Sequence, residues 1–449
     1  MPLFGGFAVF RLPFDRPPVL HLHFNFRMIG IKISVLLLCI AIIECTLHEV
    51  YKCPQYPTYC TCYEKKWDAL IPGLYNQTSC EGKVPNSFVS KIADLRFTDT
   101  SIGSIPPGLP TSILRLIIQK SDLIMSPDDY VNIPTSVKYL ILPNNEKISK
   151  FNLTYLDHVP NLTLLDLSHN PLTSLDIPST SPIRLTSLYL DGIEWKTLDT
   201  TKYEMSKIIN LGARNGKIEN VRFNFHDGGK IMLENNRIST FDATKMNVNG
   251  MYSLDLSRNP IQKLDFSSGV DNLHTLKLRD INLKIFDGSK FHLPSLNKLD
   301  LSDNPIETVY INGFSIRHFI FKKIGLTCFD DRLEGMSKIV TLDLENNDLK
   351  TLHLTQDNIN SIDIKGNKQI SRIKLHSLPM WFYADEESLP CDCCLLKLLS
   401  NKSNPRYAVC RNARLHSYNL TLLANAIGCD LNRSKTEICD SLPPMPACD

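Results

Sequence analysis

The chain has no excess of charge. Its 49 lysines and arginines stand against 47 aspartates and glutamates, a net charge of +2. That argues against a nucleic-acid binder, which needs a surplus of basic residues on one face. Catalytic signatures are missing as well. There is no G-x-S-x-G, P-loop or H-E-x-x-H, and His169 and His318 have no paired acid at strand spacing. No enzymatic activity, cofactor or metal site is therefore expected. A membrane-spanning run is also lacking. The apolar stretch ISVLLLCIAII at 33–43 has eleven residues, whereas a bilayer span takes about 20. No second run of spanning length follows, and the closing SLPPMPACD offers no hydrophobic tail for a glycolipid anchor. Finally, cysteine is scarce in the middle. Of fourteen, only Cys328 lies between Cys80 and Cys391.

The eleven-residue run follows Lys32 and suits the core of a signal peptide. Met28 is well placed as a start, so 28–45 reads as the signal peptide, cleaved after Cys45. Residues 1–27, with Pro17-Pro18 and two histidines, read as an unstructured upstream extension. Cleavage leaves 14 − 2 = 12 cysteines, an even number, clustered at the two ends. Such clusters read as disulfide-stapled caps made in an oxidising compartment. A secreted product with no membrane span after cleavage is expected.

What the chain has is a repeated line. LTLLDLSHNPLTSL at 162–175 returns as MYSLDLSRNPIQKL at 251–264, LNKLDLSDNPIETV at 296–309 and IVTLDLENNDLKTL at 339–352. The shared frame is L-x-x-L-x-L-x-x-N-x-L-x-x-L. Aligned on its Asn position, the chain yields thirteen repeats, from Thr100 to Asn367, spaced 20 to 25 residues apart. Seven carry Asn, and three of the exceptions carry Ile, at 193, 281 and 324. The x-L-x segment alternates with period two, so it forms a short strand with leucines inward and x residues outward. Strands of successive repeats pair in parallel. The Asn turns inward to satisfy the backbone of the tight turn and of its neighbour. Ile cannot replace those bonds, so its turns are expected to be looser or to rely on water or a neighbouring Asn. Asp176, Asp199, Asp242, Asp265, Asp287 and Asp330 follow the last apolar position and read as turn or cap residues.

This frame resembles that of the leucine-rich repeat family, and with its caps the resemblance covers about residues 53 to 430. It implies an α/β leucine-rich repeat solenoid: a curved horseshoe with a parallel concave sheet, turns and short helical turns on the convex side, and disulfide caps. Residues 46–90 are expected to form the N-terminal cap, 91–385 the array, 386–430 the C-terminal cap and 431–449 a Pro/Cys tail. The order C-x6-C-x-C-x17-C from Cys53 to Cys80 is similar to the family's N-terminal cap. Its pairing implies Cys53–Cys62 and Cys60–Cys80. The C-terminal motif implies Cys391–Cys410 and Cys393–Cys429, although Cys394 departs from the pattern. Cys439 and Cys448 are expected to close a small loop. That leaves Cys328 and Cys394, separated by two repeats and the cap start. A bridge needs Cα atoms within about 7 Å, so a disulfide-linked dimer through either is an open expectation.

On the concave sheet Ile117, Tyr139, Ile141, Leu164 and Tyr189 form an apolar and aromatic cluster on adjacent strands, expected to face solvent about 5 Å apart. Exposed patches of this kind mark contact surfaces, and aromatics are typical anchors. Lys277, Arg279, Lys298, Lys322 and Lys323, interleaved with Asp280, Asp300 and Asp303, read as a solvated face. Sequons at Asn76, Asn152, Asn161, Asn401, Asn419 and Asn432 fit a glycoprotein. The expected function is therefore secreted binding of a protein or glycoconjugate on the concave face. The short repeats and caps resemble Toll-type ectodomains and the secreted leucine-rich immune proteins of insects. A matrix or adhesion protein resembling the small leucine-rich proteoglycans is the second reading, and an enzyme inhibitor the third.

Overall fold

The computed structural model describes residues 50–51, 59–66, 70–71, 74–85, 88, 91–176, 185–201, 208–224, 229–311, 316–331, 338–385, 393–400 and 429–432. The chain divides into two units, Met1–Glu49 and Val50–Asp449. The first, with the expected extension and signal peptide, lies outside the described residues, as do Cys53, Cys391, Cys410, Cys439, Cys448, Asn401, Asn419 and the side chain of Cys394. No helix among the described residues is long and apolar enough to cross a membrane.

The second unit is built on a 17-stranded sheet. It opens with Val50–Tyr51 antiparallel to Cys60–Lys66, which in turn forms an antiparallel hairpin with Leu74–Glu81. From there every neighbour is parallel, through Asp94–Thr98 and Arg115–Gln119 to Trp381–Tyr383. Most array strands are only three residues, as in Leu164–Asp166 and Ser187–Tyr189. The registers line up like residues. Leu165 lies beside Leu140 and Leu188, and Leu188 beside Leu211. Leu140, Leu165 and Leu188 are fully buried. Each such side chain contributes roughly 1.5–3 kcal/mol relative to exposure, and one continuous core results.

The turn after each strand has a fixed device. One residue before the Asn position the backbone enters the left-handed region, with φ of 52° at Asp99, 57° at His169, 56° at Arg258 and 76° at Gly366. The buried Asn then closes the turn. Asn170 Nδ2 donates to the carbonyls of Leu142 and Leu167, both at 2.8 Å, and its Oδ1 accepts from the N–H of Asn145 at 2.7 Å. Two of the Ile exceptions rely on the next repeat. Asn304 Oδ1 accepts from the N–H groups of Ile281 and Leu283 at 2.9 and 3.0 Å, and Asn347 Oδ1 serves Ile324 and Leu326 at 2.9 and 3.2 Å.

The opposite side adds to the expected turns and short helical turns. Short parallel strands also pair there, among them Lys150–Asn152 with Ser174–Asp176 and Thr240–Asp242 with Lys263–Asp265. A three-stranded group joins Cys328–Asp330, Thr351–Leu354 and Arg372–Leu375. The cause is the same as in the main sheet. A segment such as Thr-Phe-Asp has one inward apolar residue between two outward polar ones, and the repeat spacing holds successive edges in pairing distance. Helical turns occur at Leu153–Leu156, Ala243–Lys245 and Gly288–Lys290, with the helix Pro127–Val131. Asp242 and Asp287 cap two of these, accepting from the N–H of Thr244 and of Ser289, both at 3.2 Å.

Both ends are stapled. Cys60 is bonded to Cys80 with Cα atoms 4.1 Å apart, and Cys393 to Cys429 at 5.4 Å. Both pairings are those the resemblance implied. Cys62 is also disulfide-bonded. Cys328 is in a disulfide too, which corrects the expectation of a dimer link through it: a cysteine already bonded in this single chain has no thiol left to offer another. The helix Cys393–Ser400 buries Leu395 and Leu396 and closes the end of the core.

Candidate recognition surface on the concave sheet

The exposed face of the long sheet carries the third and fifth frame positions of each repeat. In the fifth row Ile117, Ile141, Asp166, Tyr189, Gly212 and Met232 lie on consecutive strands. In the third row Arg115, Tyr139, Leu164 and Ser187 do the same.

Two of the five expected contact residues are not free. Ile117 is buried, at 8% exposure, which corrects the expectation that it faces solvent. The Tyr139 hydroxyl donates to the carbonyl of Leu70 at 2.8 Å, and Ile71 beside it is buried. The turn of the N-terminal hairpin thus reaches the start of the sheet face. Repeat periodicity says which way a side chain points, not which cap loop covers it, so the sequence reading missed this. Beneath the same region Asp94, fully buried, accepts from Arg115 Nη2 at 2.6 Å and from Arg96 Nη2 at 2.8 Å.

Ile141, Leu164 and Tyr189 remain partly exposed, and Met232 joins them. Gly212 shapes this part of the face. A Cβ there would lie 2.7 Å from Tyr189 Cδ1, so the phenol ring rests on the Gly212 backbone. Gly212 and Met232 were not singled out from the sequence. The signal was available: a glycine at an outward strand position marks a close approach.

The recurrent Asp of the fifth position has a structural task. Oδ1 of Asp166, Asp255, Asp300 and Asp363 accepts from the N–H two residues on, at 2.9 to 3.1 Å. Burial raises the Asp166 carboxyl above its usual range, the Ser168 bonds pull it back, and the Asp191 charge adds to the rise. From Asp191 onward several outward charges are cross-strand pairs. Arg214 Nη2 meets Asp191 at 2.7 Å, Lys277 meets Asp255 at 3.1 Å, and Lys322 bridges Asp343 and Glu345 at 2.9 and 2.7 Å. Burial pulls the Lys322 ammonium down, but its bonds to Glu345 and Asp343 outweigh it and hold the group above the ordinary lysine value. The carboxylates of Asp343, Glu345 and Asp363 lie within 4.8 Å of one another, with Lys322 already between two of them. His318 Nδ1 is 2.8 Å from Thr341 Oγ1. His169 lies in the turn, its ring against Gly192.

Of the sequon asparagines, Asn76, Asn161 and Asn432 are exposed and Asn152 is half-buried. Asn76 Nδ2 is 3.4 Å from the Lys91 carbonyl.

Parallel stacking of one strand per repeat, a left-handed turn closed by a buried Asn, and a cysteine-bonded cap at each end define a leucine-rich repeat fold. The chain is similar to human podocan-like protein 1, at 32% identity over 118 residues, which is 26% of this chain and 23% of that protein. It is also similar to rat lumican, at 33% identity over 110 residues, 24% of this chain and 31% of lumican. The matches therefore span less than a third of these curated relatives. Among solved structures, the Drosophila Toll–Spatzle complex aligns over 73% of this chain and 53% of that chain, with 19% identity and a TM-score of 0.45. An LRIM1/APL1C complex aligns over 75% and 66%, with 16% identity and a TM-score of 0.42. No protein-family model matches the chain.

Proposed function

We infer that the protein is an extracellular binding protein that takes an apolar segment of a protein partner on its concave face, at Ile141, Leu164, Tyr189 and Met232. One observation carries this reading. The Tyr189 ring packs against Gly212, with partly exposed Ile141, Leu164 and Met232 on nearby strands and Asp166 directly beside it, on a sheet whose other outward charges are mostly paired across strands. Aromatic anchors pre-set in this way lose little freedom on binding. Bonded caps at both ends support passage through an oxidising compartment. A matrix or adhesion role stands second, supported by the local identity with lumican and podocan-like protein 1.

The test is binding of the secreted full chain to an array of extracellular proteins and glycans, with Ile141→Asp and Tyr189→Asp combined. Loss of two anchors should weaken the partner at least about 30-fold, the equivalent of one hot spot. Undiminished binding by a folded double variant would sink the concave-face reading. Capture of matrix glycans alone, unaffected by the variant, would favour the second.

A further inference from the structure

Two exposed apolar side chains lie on elements outside the long sheet. Val131, on the helix Pro127–Val131, is 74% exposed, and Tyr155, on the helical turn Leu153–Leu156, is 48% exposed. Asn152 is the N-cap of that turn and opens the sequon Asn152-Leu153-Thr154. Its Oδ1 accepts from the Thr154 N–H at 2.9 Å and from Thr154 Oγ1 at 2.6 Å. Both bonds use the amide oxygen, and Nδ2 makes no hydrogen bond among the described residues.

Two contacts hold the acceptor and the Tyr155 ring together. The Asn152 N–H donates to the Tyr130 hydroxyl at 2.9 Å, and the Tyr130 and Tyr155 ring centroids are 5.2 Å apart. The turn keeps the two close in the chain, since Asn152 caps the helical turn Leu153–Leu156 that carries Tyr155. Tyr155 stands three residues after Asn152. At the same offset, Asn76, Asn161 and Asn432 have Ser79, Leu164 and Lys435.

We propose that Asn152 carries an N-linked glycan whose first N-acetylglucosamine seats on the exposed ring of Tyr155. This rests on the extracellular reading, since the sugar is added only on a secretory route. Addition forms the bond from Asn152 Nδ2 to C1 of the sugar and breaks the bond from C1 to phosphate in a polyprenyl-diphosphate donor. One amide proton and the lipid diphosphate leave. The apolar C–H face of a pyranose ring matches the electron-rich face of an aromatic side chain. The glycan therefore acts as a packed part of the convex surface.

The test uses the secreted full chain. Glycopeptide mass spectrometry reads occupancy at each sequon. Thermal midpoints are then compared for the parent, Asn152→Ser, Tyr155→Ala and the double variant; Ser keeps a capping oxygen. Asn152→Ser is expected to lower the midpoint by about 2 °C, and Tyr155→Ala to lower it less once the sugar is gone. Trimming the parent's glycans to the innermost sugar should leave the midpoint in place. A bare Asn152 beside other occupied sequons overturns the proposal. So do additive shifts, or trimming that lowers the midpoint as much as full removal. A secreted chain bare at every sequon also overturns it, while the extracellular reading stands; a chain that is not secreted overturns both.

Discussion

Asn304 serves two repeats, and its loss should show it. The residue is 2% exposed. Its Oδ1 accepts from Ile281 and Leu283, and its Nδ2 donates to the carbonyls of Leu278 and Leu301 at 2.7 and 2.8 Å. Ile281 occupies the matching position one repeat earlier and offers no amide of its own. Asn304→Ala therefore leaves two N–H groups and the carbonyls of Leu278 and Leu301 without this partner, while the Ser302 carbonyl, 3.2 Å from Nδ2, keeps the Asp280 N–H. At about 1 kcal/mol for each, near the low end for a buried polar group left unpaired, the loss is about 4 kcal/mol. Asn236 is the internal control, because its Oδ1 accepts one N–H, that of Ile218, at 3.2 Å. Asn236→Ala should cost about 1 kcal/mol less for the donor it does not strand. Repeat arrays can open locally, so amide hydrogen exchange is the sharper assay than a global melt. Exchange at Ile281 and Leu283 should accelerate in Asn304→Ala, one repeat before the substitution. Unchanged protection there, or equal cost for the two variants, would refute the shared-amide argument.

Two more outcomes follow from groups near the ends of the sheet face. Arg115→Met leaves the buried Asp94 with Arg96 alone; breaking such a pair should cost about 3 kcal/mol in urea unfolding, and adding Asp94→Leu should recover much of it. If the double variant is as unstable as the single one, the stranded carboxylate is not the cause. His318 is held below its ordinary pKa of 6.5 by burial and by the charges of Lys298 and Arg317. A depressed histidine contributes stability above pH 6.5, and that contribution is lost as pH falls through the folded-state value. His318→Gln should therefore flatten the stability profile below pH 6.5, and a profile with the parent's slope would count against that environment.

Much of the array is legible because its physics is local. An inward Leu165 or Leu188 is set by period-two alternation, and a buried Asn170 by the backbone groups its own turn exposes. The convex strands were harder to read. Thr240-Phe241-Asp242 is too short for its alternation to stand out, and its pairing comes from a neighbour 23 residues away. The sheet face was legible only in direction. Ile117 points outward as its position requires, yet it is buried. The chain that reaches over this region comes from the cap turn at Leu70, 69 residues before Tyr139. No repeat frame contains that contact. The Ile positions show the same limit from the opposite side. Read alone, Ile281 is a turn with its amide missing. Read with its neighbour, it is a turn closed by Asn304, so the unit of stability in this solenoid is a pair of adjacent repeats and not one. Substitutions at the Asn position should therefore be judged by what stands one repeat before them.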